Sequence, residues 1–464
     1  MSCRLGPLPA LLLAACLLAA CSVAGDPPPS PDLAVPSRFA EAADAGAAFP
    51  DRDWWQGFGS AELDRLVEEA LRDNSDLRQA ETRLRQADAQ VKIAGAALLP
   101  SLDAGVGATR TRSAQNSSAG TRLSDSFDVG FTASWELDVW GRNRAGLTAT
   151  EAAGIAVRRD RDALALSTAS AVAETYFQVL SLRDRLRLAR ANLDNAQRVL
   201  DLVDVRVRNG AASALDLAQQ RTQLASQRAS LQSLLQQERQ TVNALALLLG
   251  RPLDGFDAEG RSLQAVKPVP VLAGLPSELL LRRPDLAAAE ARLDAAAADV
   301  EAARAALYPS FDLTARAGNS SDRLADLLDG NVVSLSLSIL APIFDGGRLR
   351  GQVELSEAQQ LELLESYRGI ALAAFADAED ALIIVRYSRE REAALETAAV
   401  EARRAFALAE AQYRGGAIDL LALLDAQRTL FSAEDALAGA RLDRLLGLVA
   451  LYRAMGGGWS ASGS

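Results

Sequence analysis

The sequence predicts a mixed α and β membrane protein in which a duplicated unit supplies long antiparallel coiled helices and four transmembrane β-strands per chain. Three observations predict it: a long internal repeat, proline-free Ala/Leu/Arg-rich stretches of helical period, and short stretches where the period switches from 3.6 to 2. The repeat orders the rest. Asp76-Leu77-Arg78-Gln79-Ala80-Glu81-Thr82-Arg83-Leu84 returns about 209 residues later as Asp285-Leu286-Ala287-Ala288-Ala289-Glu290-Ala291-Arg292-Leu293, and Leu98-Leu99-Pro100-Ser101 as Leu307-Tyr308-Pro309-Ser310. At an offset of about 206, Gly141-Arg142 returns as Gly347-Arg348, and Arg208-Asn209-Gly210-Ala211 as Arg414-Gly415-Gly416-Ala417.

Helices come first in each unit. Residues 61–99, about 144–207 and 214–249 carry apolar side chains at three- and four-residue steps with good helix formers between them. The second unit matches with 277–307, about 351–413 and about 420–455. The middle helix of each unit, at about 1.5 Å per residue, reaches about 90 Å and must pack along its length against other helices. Its many alanines permit close approach. A periplasmic coiled-coil rod would explain these helices equally well.

The strands are what a rod leaves unexplained. Phe127, Val129, Phe131, Ala133, Trp135, Leu137 and Val139 alternate with Asp128, Gly130, Thr132, Ser134, Glu136 and Asp138. Val333, Leu335, Leu337 and Ile339 alternate with serines in the second unit, and shorter partners begin at Leu102 and Phe311. Strict alternation over about 10 residues suits a transmembrane barrel, apolar toward lipid and polar toward water. Trp135 and Trp140 are expected at the membrane interface. A barrel must close, because an open edge in lipid leaves backbone groups unsatisfied. Four strands do not close, eight give a barrel filled by its own side chains, and twelve leave an aqueous lumen, so a trimer is the smaller assembly able to conduct.

The N-terminus sets the compartment. Arg4 precedes an apolar run over residues 5–20 that is too short to span a bilayer with its flanks but suits a secretory signal. Leu18-Ala19-Ala20-Cys21 is a lipobox, whose Cys21 thiol would take a diacylglyceryl group; Leu13-Ala14-Ala15-Cys16 also fits but leaves an apolar core of only about ten residues. Processing at Cys21 removes Cys3 and Cys16, so the mature chain holds one cysteine and no internal disulfide. Ser22, rather than Asp, after the lipidated position points to the outer membrane. Residues 26–36 form a Pro-rich tether.

Composition excludes most chemistry. The chain has no histidine, and so lacks the commonest general base and metal ligand. It carries no Gly-rich phosphate loop and no nucleophile elbow, and its paired carboxylates lie on helical faces that solvent explains. No catalytic residue, metal site or cofactor is expected. A formal charge of −11 also disfavours nucleic acid, whose phosphates it would repel.

The run Leu275-Pro276-Ser277-Glu278-Leu279-Leu280-Leu281-Arg282-Arg283-Pro284-Asp285-Leu286 resembles the signature of TolC-like outer-membrane efflux factors, in their NodT-type lipoprotein branch. Trp54-Trp55-Gln56-Gly57-Phe58-Gly59, the stretch from Gly416 to Arg428 and the duplication itself support the resemblance. It implies a homotrimer with a twelve-stranded barrel, a helical tunnel across the periplasm and an equatorial belt. The implied function is an exit duct for drugs or other small molecules, opened by a periplasmic membrane-fusion adaptor joined to an inner-membrane pump, usually of the resistance-nodulation-division class. The alternatives are a membrane-attached coiled-coil adaptor or scaffold, and a duct for type I protein secretion. The expected organisation is a lipoprotein signal over 1–20, a lipidated tether and equatorial segment over 21–60, repeat 1 over 61–250 with strands 101–112 and 126–140, an equatorial linker over 251–275, repeat 2 over 276–455 with strands 310–318 and 332–344, and a C-terminal tail over 456–464.

The resemblance also implies a closable periplasmic tip. Gly210, Gly415 and Gly416 fall in its turns, where a left-handed residue is expected. Asp425 falls on one acidic-ring position, and Ala422 occupies the place of a second. Asp216 and Tyr413 fall on positions that make an inter-helix hydrogen bond in some members, while the arginine of that network is replaced by Ile418. Three-fold symmetry would set three Asp425 carboxylates around a narrow pore and attract cations.

Overall fold

The computed structural model describes residues 33–41, 51–114, 121–267 and 276–459. The signal, the lipobox at Cys21, residues 268–275 of the linker and residues 460–464 of the tail lie outside the described residues.

The described residues of 83–158 and 288–368 form one compact unit. Its sheet has four antiparallel strands in the order β1 (Ser101–Ala114), β2 (Thr121–Glu136), β3 (Ser310–Ser321) and β4 (Asn331–Leu340). Register places most of the apolar residues of the four strands on one face. Leu102, Ala133, Ala315 and Leu335 share one row, and Ala104, Phe131, Ala317 and Val333 share the next. Leu102 is 71%, Val106 83% and Leu335 73% exposed, so this apolar face has no cover within the chain. The other face carries Ser, Thr, Gly and charged residues, with Val332 and Leu340 of β4 among them.

Several strand ends differ from the sequence expectation. Strand β2 begins at Thr121 rather than 126 and stops at Glu136 rather than 140. It stops because Asp138 turns to cap a helix: its carboxylate accepts from the backbone N–H groups of Asn143 (3.0 Å) and Arg144 (2.8 Å). Leu137 N–H still donates to the Phe311 carbonyl (2.7 Å), but Leu137 and Val139 lie beyond the paired register. Trp140 stacks on Tyr308 with ring centroids 4.9 Å apart and donates to the Pro309 carbonyl at 2.8 Å. Strand β4 ends at Leu340 rather than 344. There Pro342 lacks a donor for the ladder, and Asp345 accepts from the N–H groups of Gly347 and Leu349 to start the next helix. Strand β3 in turn runs on to Ser321 rather than ending at 318, paired to β2 throughout that extension.

Neither leading helix is continuous. The helix expected over 61–99 is α1 (Ala61–Asp73) and α2 (Ser75–Ala96). Asn74 divides them: its amide oxygen accepts from Asp76 N–H (2.9 Å) and Leu77 N–H (3.2 Å), while its amide nitrogen donates to the Leu248 carbonyl at 2.9 Å. The long α3 (Arg142–Arg208) and then α4 (Ala214–Leu248) complete the first repeat. In the second repeat Pro284 divides α5 (Pro276–Arg282) from α6 (Pro284–Ala305), since proline has no N–H for the preceding turn and suits a first helical position. The chain then continues through α7 (Arg348–Arg414) and α8 (Leu420–Ala454). Each 67-residue helix amounts to about 100 Å of rise. Among the described residues no helix is long and apolar enough to cross a membrane.

The second unit comprises the described residues of 33–82, 159–287 and 369–464. Its core explains the tryptophan-rich run. Trp54 stacks on Tyr452 at 4.9 Å, and Phe58 meets Phe177 edge-on at 5.0 Å, with Leu63, Leu180 and Leu245 fully buried around them. The linker is pinned by buried charge. Arg183 pairs with Glu238 (3.1 Å) and Asp257 and donates to the carbonyls of Ala258 and Gly260, while Asp184 accepts from Ser262 Oγ (3.0 Å) and Leu263 N–H (2.9 Å). The end of the tether is fixed too: Glu379 accepts from Ala40 N–H and Glu41 N–H, each at 3.0 Å, and Phe39 is only 4% exposed. On α7 a stripe of buried alanines, Ala371, Ala374, Ala378 and Ala381, lets neighbouring backbones approach.

The run 275–286 now has a physical reading. Arg283 is a fork to Asp285 (3.0 and 2.7 Å) and reaches Asp377 at 3.1 Å. Burial works to raise the Asp285 carboxyl, but the Arg283 guanidinium and the Leu286 N–H outweigh it and hold it below the usual carboxylate range.

Candidate functional site

The two helix turns at the ends of α3 and α7 are built alike, as the repeat requires. Gly210 and Gly416 both adopt left-handed backbone, at φ +72° and +76°. Ala211 N–H reaches back to the Arg206 carbonyl (2.8 Å) and Ala417 N–H to the Gln412 carbonyl (2.9 Å), the six-residue closure that ends a helix on glycine. Gly415 differs from expectation: it keeps a negative φ, because the left-handed position in this turn is filled by Gly416 alone. Helix α4 then starts with a capping box, Ser213 Oγ accepting from Asp216 N–H (3.1 Å) and the Asp216 carboxylate from Ser213 N–H (2.8 Å). Helix α8 starts on Asp419, which accepts from Ala422 N–H at 2.9 Å.

The hairpins meet through an apolar cluster of Val199, Val203, Phe406, Tyr413, Leu420, Leu423 and Phe431, with Ile418 packed against it. A polar tie crosses it, and elsewhere on these helices Arg185 of α3 pairs with Asp435 of α8 (2.6 and 3.0 Å). Arg206 of α3 donates to the Tyr413 carbonyl of α7 (2.5 Å), and its guanidinium sits over the Tyr413 ring at 4.5 Å. Burial pushes the Tyr413 hydroxyl up, with the Asp216 charge adding and the Arg206 charge opposing. Two glutamines, Gln220 of α4 and Gln427 of α8, are wholly buried in these hairpins. Gln220 donates to the Ala196 carbonyl at 2.8 Å, but Gln427 has no partner for its amide among the described residues. An unpaired buried amide costs about 1–3 kcal/mol, which weighs against the apolar packing of these hairpins.

The sheet, the duplicated hairpins and the turns place the chain among known proteins. The outer membrane efflux protein family matches residues 66–251 and 275–457. The chain belongs to this family. It is 43% identical over 462 residues to the pyoverdine export outer membrane protein OpmQ of Pseudomonas aeruginosa, covering 97% of each chain. It is 37% identical to the outer membrane protein OprJ of the same organism, covering 97% of this chain and 95% of that one. The solved structure of the outer-membrane channel OprN superposes with a TM-score of 0.88 at 30% identity, over 93% of this chain and 99% of that one. The protein is an outer-membrane efflux channel and not an enzyme. The adaptor or scaffold alternative falls with it, since a rod has no use for the sheet.

Within this efflux channel the expected site residues are placed as follows. Asp425 lies exposed in the second turn of α8, with no ion-pair partner among the described residues. Tyr413 is buried on α7. Asp216 and Tyr413 do not share the hydrogen bond expected of them: the Asp216 carboxylate is engaged by its own helix cap, and the inter-hairpin tie comes from Arg206 instead. Sequence reading missed Arg206. The signal lay in the repeat, where Arg208 keeps its counterpart as Arg414 but Arg206 faces Gln412 and Tyr413 faces Val207. The tie sits where the two copies differ.

Proposed function

We propose that three copies of this chain close into one lipid-anchored duct that carries small organic molecules out of the periplasm, with the helix turns as its closable inner end. The observation that carries this reading is the sheet: one apolar exposed face running across four strands, with β1 and β4 each presenting an unpaired edge. A membrane leaves no other outcome for such edges than closure, and three copies give the twelve strands that leave room for solutes. Imaging of the detergent-purified protein tests it. A three-fold hollow particle supports the duct, and a monomer or a two-fold particle sinks it.

The duct performs no reaction, and the energy comes from a periplasmic adaptor and an inner-membrane pump. A small-molecule cargo, rather than a secreted protein, is supported by the relative named for pyoverdine export. The anchor is Cys21. Cys21→Ala is expected to remove the acyl chains while leaving assembly intact; intact mass of the purified variant checks this, and retained acyl mass would refute the assignment. Three copies of Asp425 at the inner end favour cations. Asp425→Ala is expected to lower the cation-over-anion permeability ratio about two- to fivefold at low salt, read from reversal potentials in planar bilayers. An unchanged ratio in a conducting channel removes Asp425 from the constriction.

A further inference from the structure

The polar face of the sheet carries an uneven set of charges. With the apolar face toward lipid, the inward side chains include Asp103, Asp128, Glu136 and Asp312, and Glu136 is already neutralised by Arg142 at 2.6 Å. Among the described strand side chains Arg316 is the one inward cation, exposed and without an ion-pair partner among the described residues. Register puts Arg316 in one row with Thr132, Asp103 and Ser334. Directly beside that row lies a band of glycines, Gly105, Gly130 and Gly318, paired across three strands. A Cβ on Gly318 would come within 2.6 Å of the Gly130 Cα, so no side chain fits between those strands there. Arg316 therefore has a row beside it that is bare on β1, β2 and β3 and carries Val332 on β4.

We propose that Arg316 is a specificity-determining residue of the duct, a fixed cation beside the acidic side chains of its stretch of lumen that engages the carboxylate or other anionic groups of passing solutes, with Asp103 in the same row engaging their cationic groups. Strand spacing of about 4.8 Å sets the two residues about 10 Å apart at the backbone, within the span of a small zwitterion. In a ring closed by β4 against the next β1, each β3 lies two strands from a β1 on either side, so both signs recur around the wall. Acidic charge alone would repel anionic solutes from a lumen of low volume, and a localised guanidinium offsets this with a planar donor fork matched to carboxylates. The inference rests on the membrane facing assumed for the duct.

The test uses the intact channel in outer membranes. No cysteine follows Cys21, so Thr132→Cys, between the two charges, gives a single reactive thiol. Its rates with small anionic and cationic membrane-impermeant thiol reagents are measured from outside. Adding Arg316→Ala or Arg316→Gln is expected to lower the anionic-to-cationic rate ratio about fivefold at 0.1 M salt or below and much less at 1 M, whereas Arg316→Lys preserves most of it. Asp103→Asn is expected to raise the ratio. A ratio unmoved by all three neutral variants overturns the proposal. Failure of the facing itself reads differently: Thr132→Cys would be unreactive while Ala133→Cys, one residue along on the apolar face, reacts.

Discussion

Leu335→Arg is expected to abolish assembly of the channel in the outer membrane, the largest effect predicted for any single substitution here. Leu335 sits near the centre of the apolar face, with Trp135, Leu313 and Leu337 in the row on one side and Ala104, Phe131 and Val333 on the other. Apolar rows extend from Phe311 and Ile339 to Ala108 and Phe127, five steps of about 6.7 Å along the strands. At a tilt of about 40° this is a band about 25 Å tall, the height of a lipid-facing belt. A bidentate pair of Arg110 with Asp125 (2.6 and 2.7 Å) caps the same face at its far end, where the hydrocarbon gives way to headgroups. An arginine at mid-depth costs about 2–4 kcal/mol per copy, hence about 6–12 kcal/mol in a trimer. Ser336→Arg, the next residue on the opposite face, is expected to assemble normally. Heat-resistant trimers on gels report both, and intact Leu335→Arg trimers would mean that this face does not meet lipid.

That band is also where the sequence was most legible. A strand between lipid and water experiences the sharpest polarity contrast in the molecule, so alternation in residues 127–135 and 333–339 survives the loss of all other context. Strand ends were less legible because they depend on single polar residues. Leu137 and Val139 continue the alternation of β2, yet Asp138 between them has already turned to cap α3. The break at Asn74 was hidden for a related reason: the apolar period runs unbroken through it, and only the carbonyl of Leu248 and the N–H groups of Asp76 and Leu77 reveal its work. Its counterpart at Pro284 was visible in principle, since proline announces a helix start without any partner. The turn glycines were legible as turn residues, but one left-handed residue closes each turn, so Gly415 sits in its turn without that conformation. For the inter-hairpin tie, resemblance pointed to Asp216 and Tyr413, whereas capping chemistry between neighbours in sequence claims the aspartate first.

Arg206→Ala is expected to loosen the inner end of the duct, and it separates the tie drawn here from the one that resemblance suggests. Arg206 contributes a charged hydrogen bond to a carbonyl and a ring contact, together about 2 kcal/mol per copy. That shifts one hairpin's closed-to-open ratio about 30-fold. The unpartnered amide of Gln427 already weighs against closure, so there is little reserve to absorb the loss. Single-channel recording in planar bilayers should therefore show a higher open probability or larger resting conductance than the parent channel. Arg206→Lys retains the charge over the ring but loses the planar fork, and an intermediate conductance is expected. Tyr413→Phe is the deciding variant. The Tyr413 hydroxyl has no hydrogen-bond partner among the described residues, and the contacts to Arg206 are made by its carbonyl and its ring. Removing the hydroxyl should thus leave closure nearly unchanged, whereas a hydrogen bond from Tyr413 to Asp216 would make Tyr413→Phe open the channel as Arg206→Ala does. Equal opening by both variants would return the tie to the aspartate and reduce Arg206 to a basic residue complementing the end of its own helix.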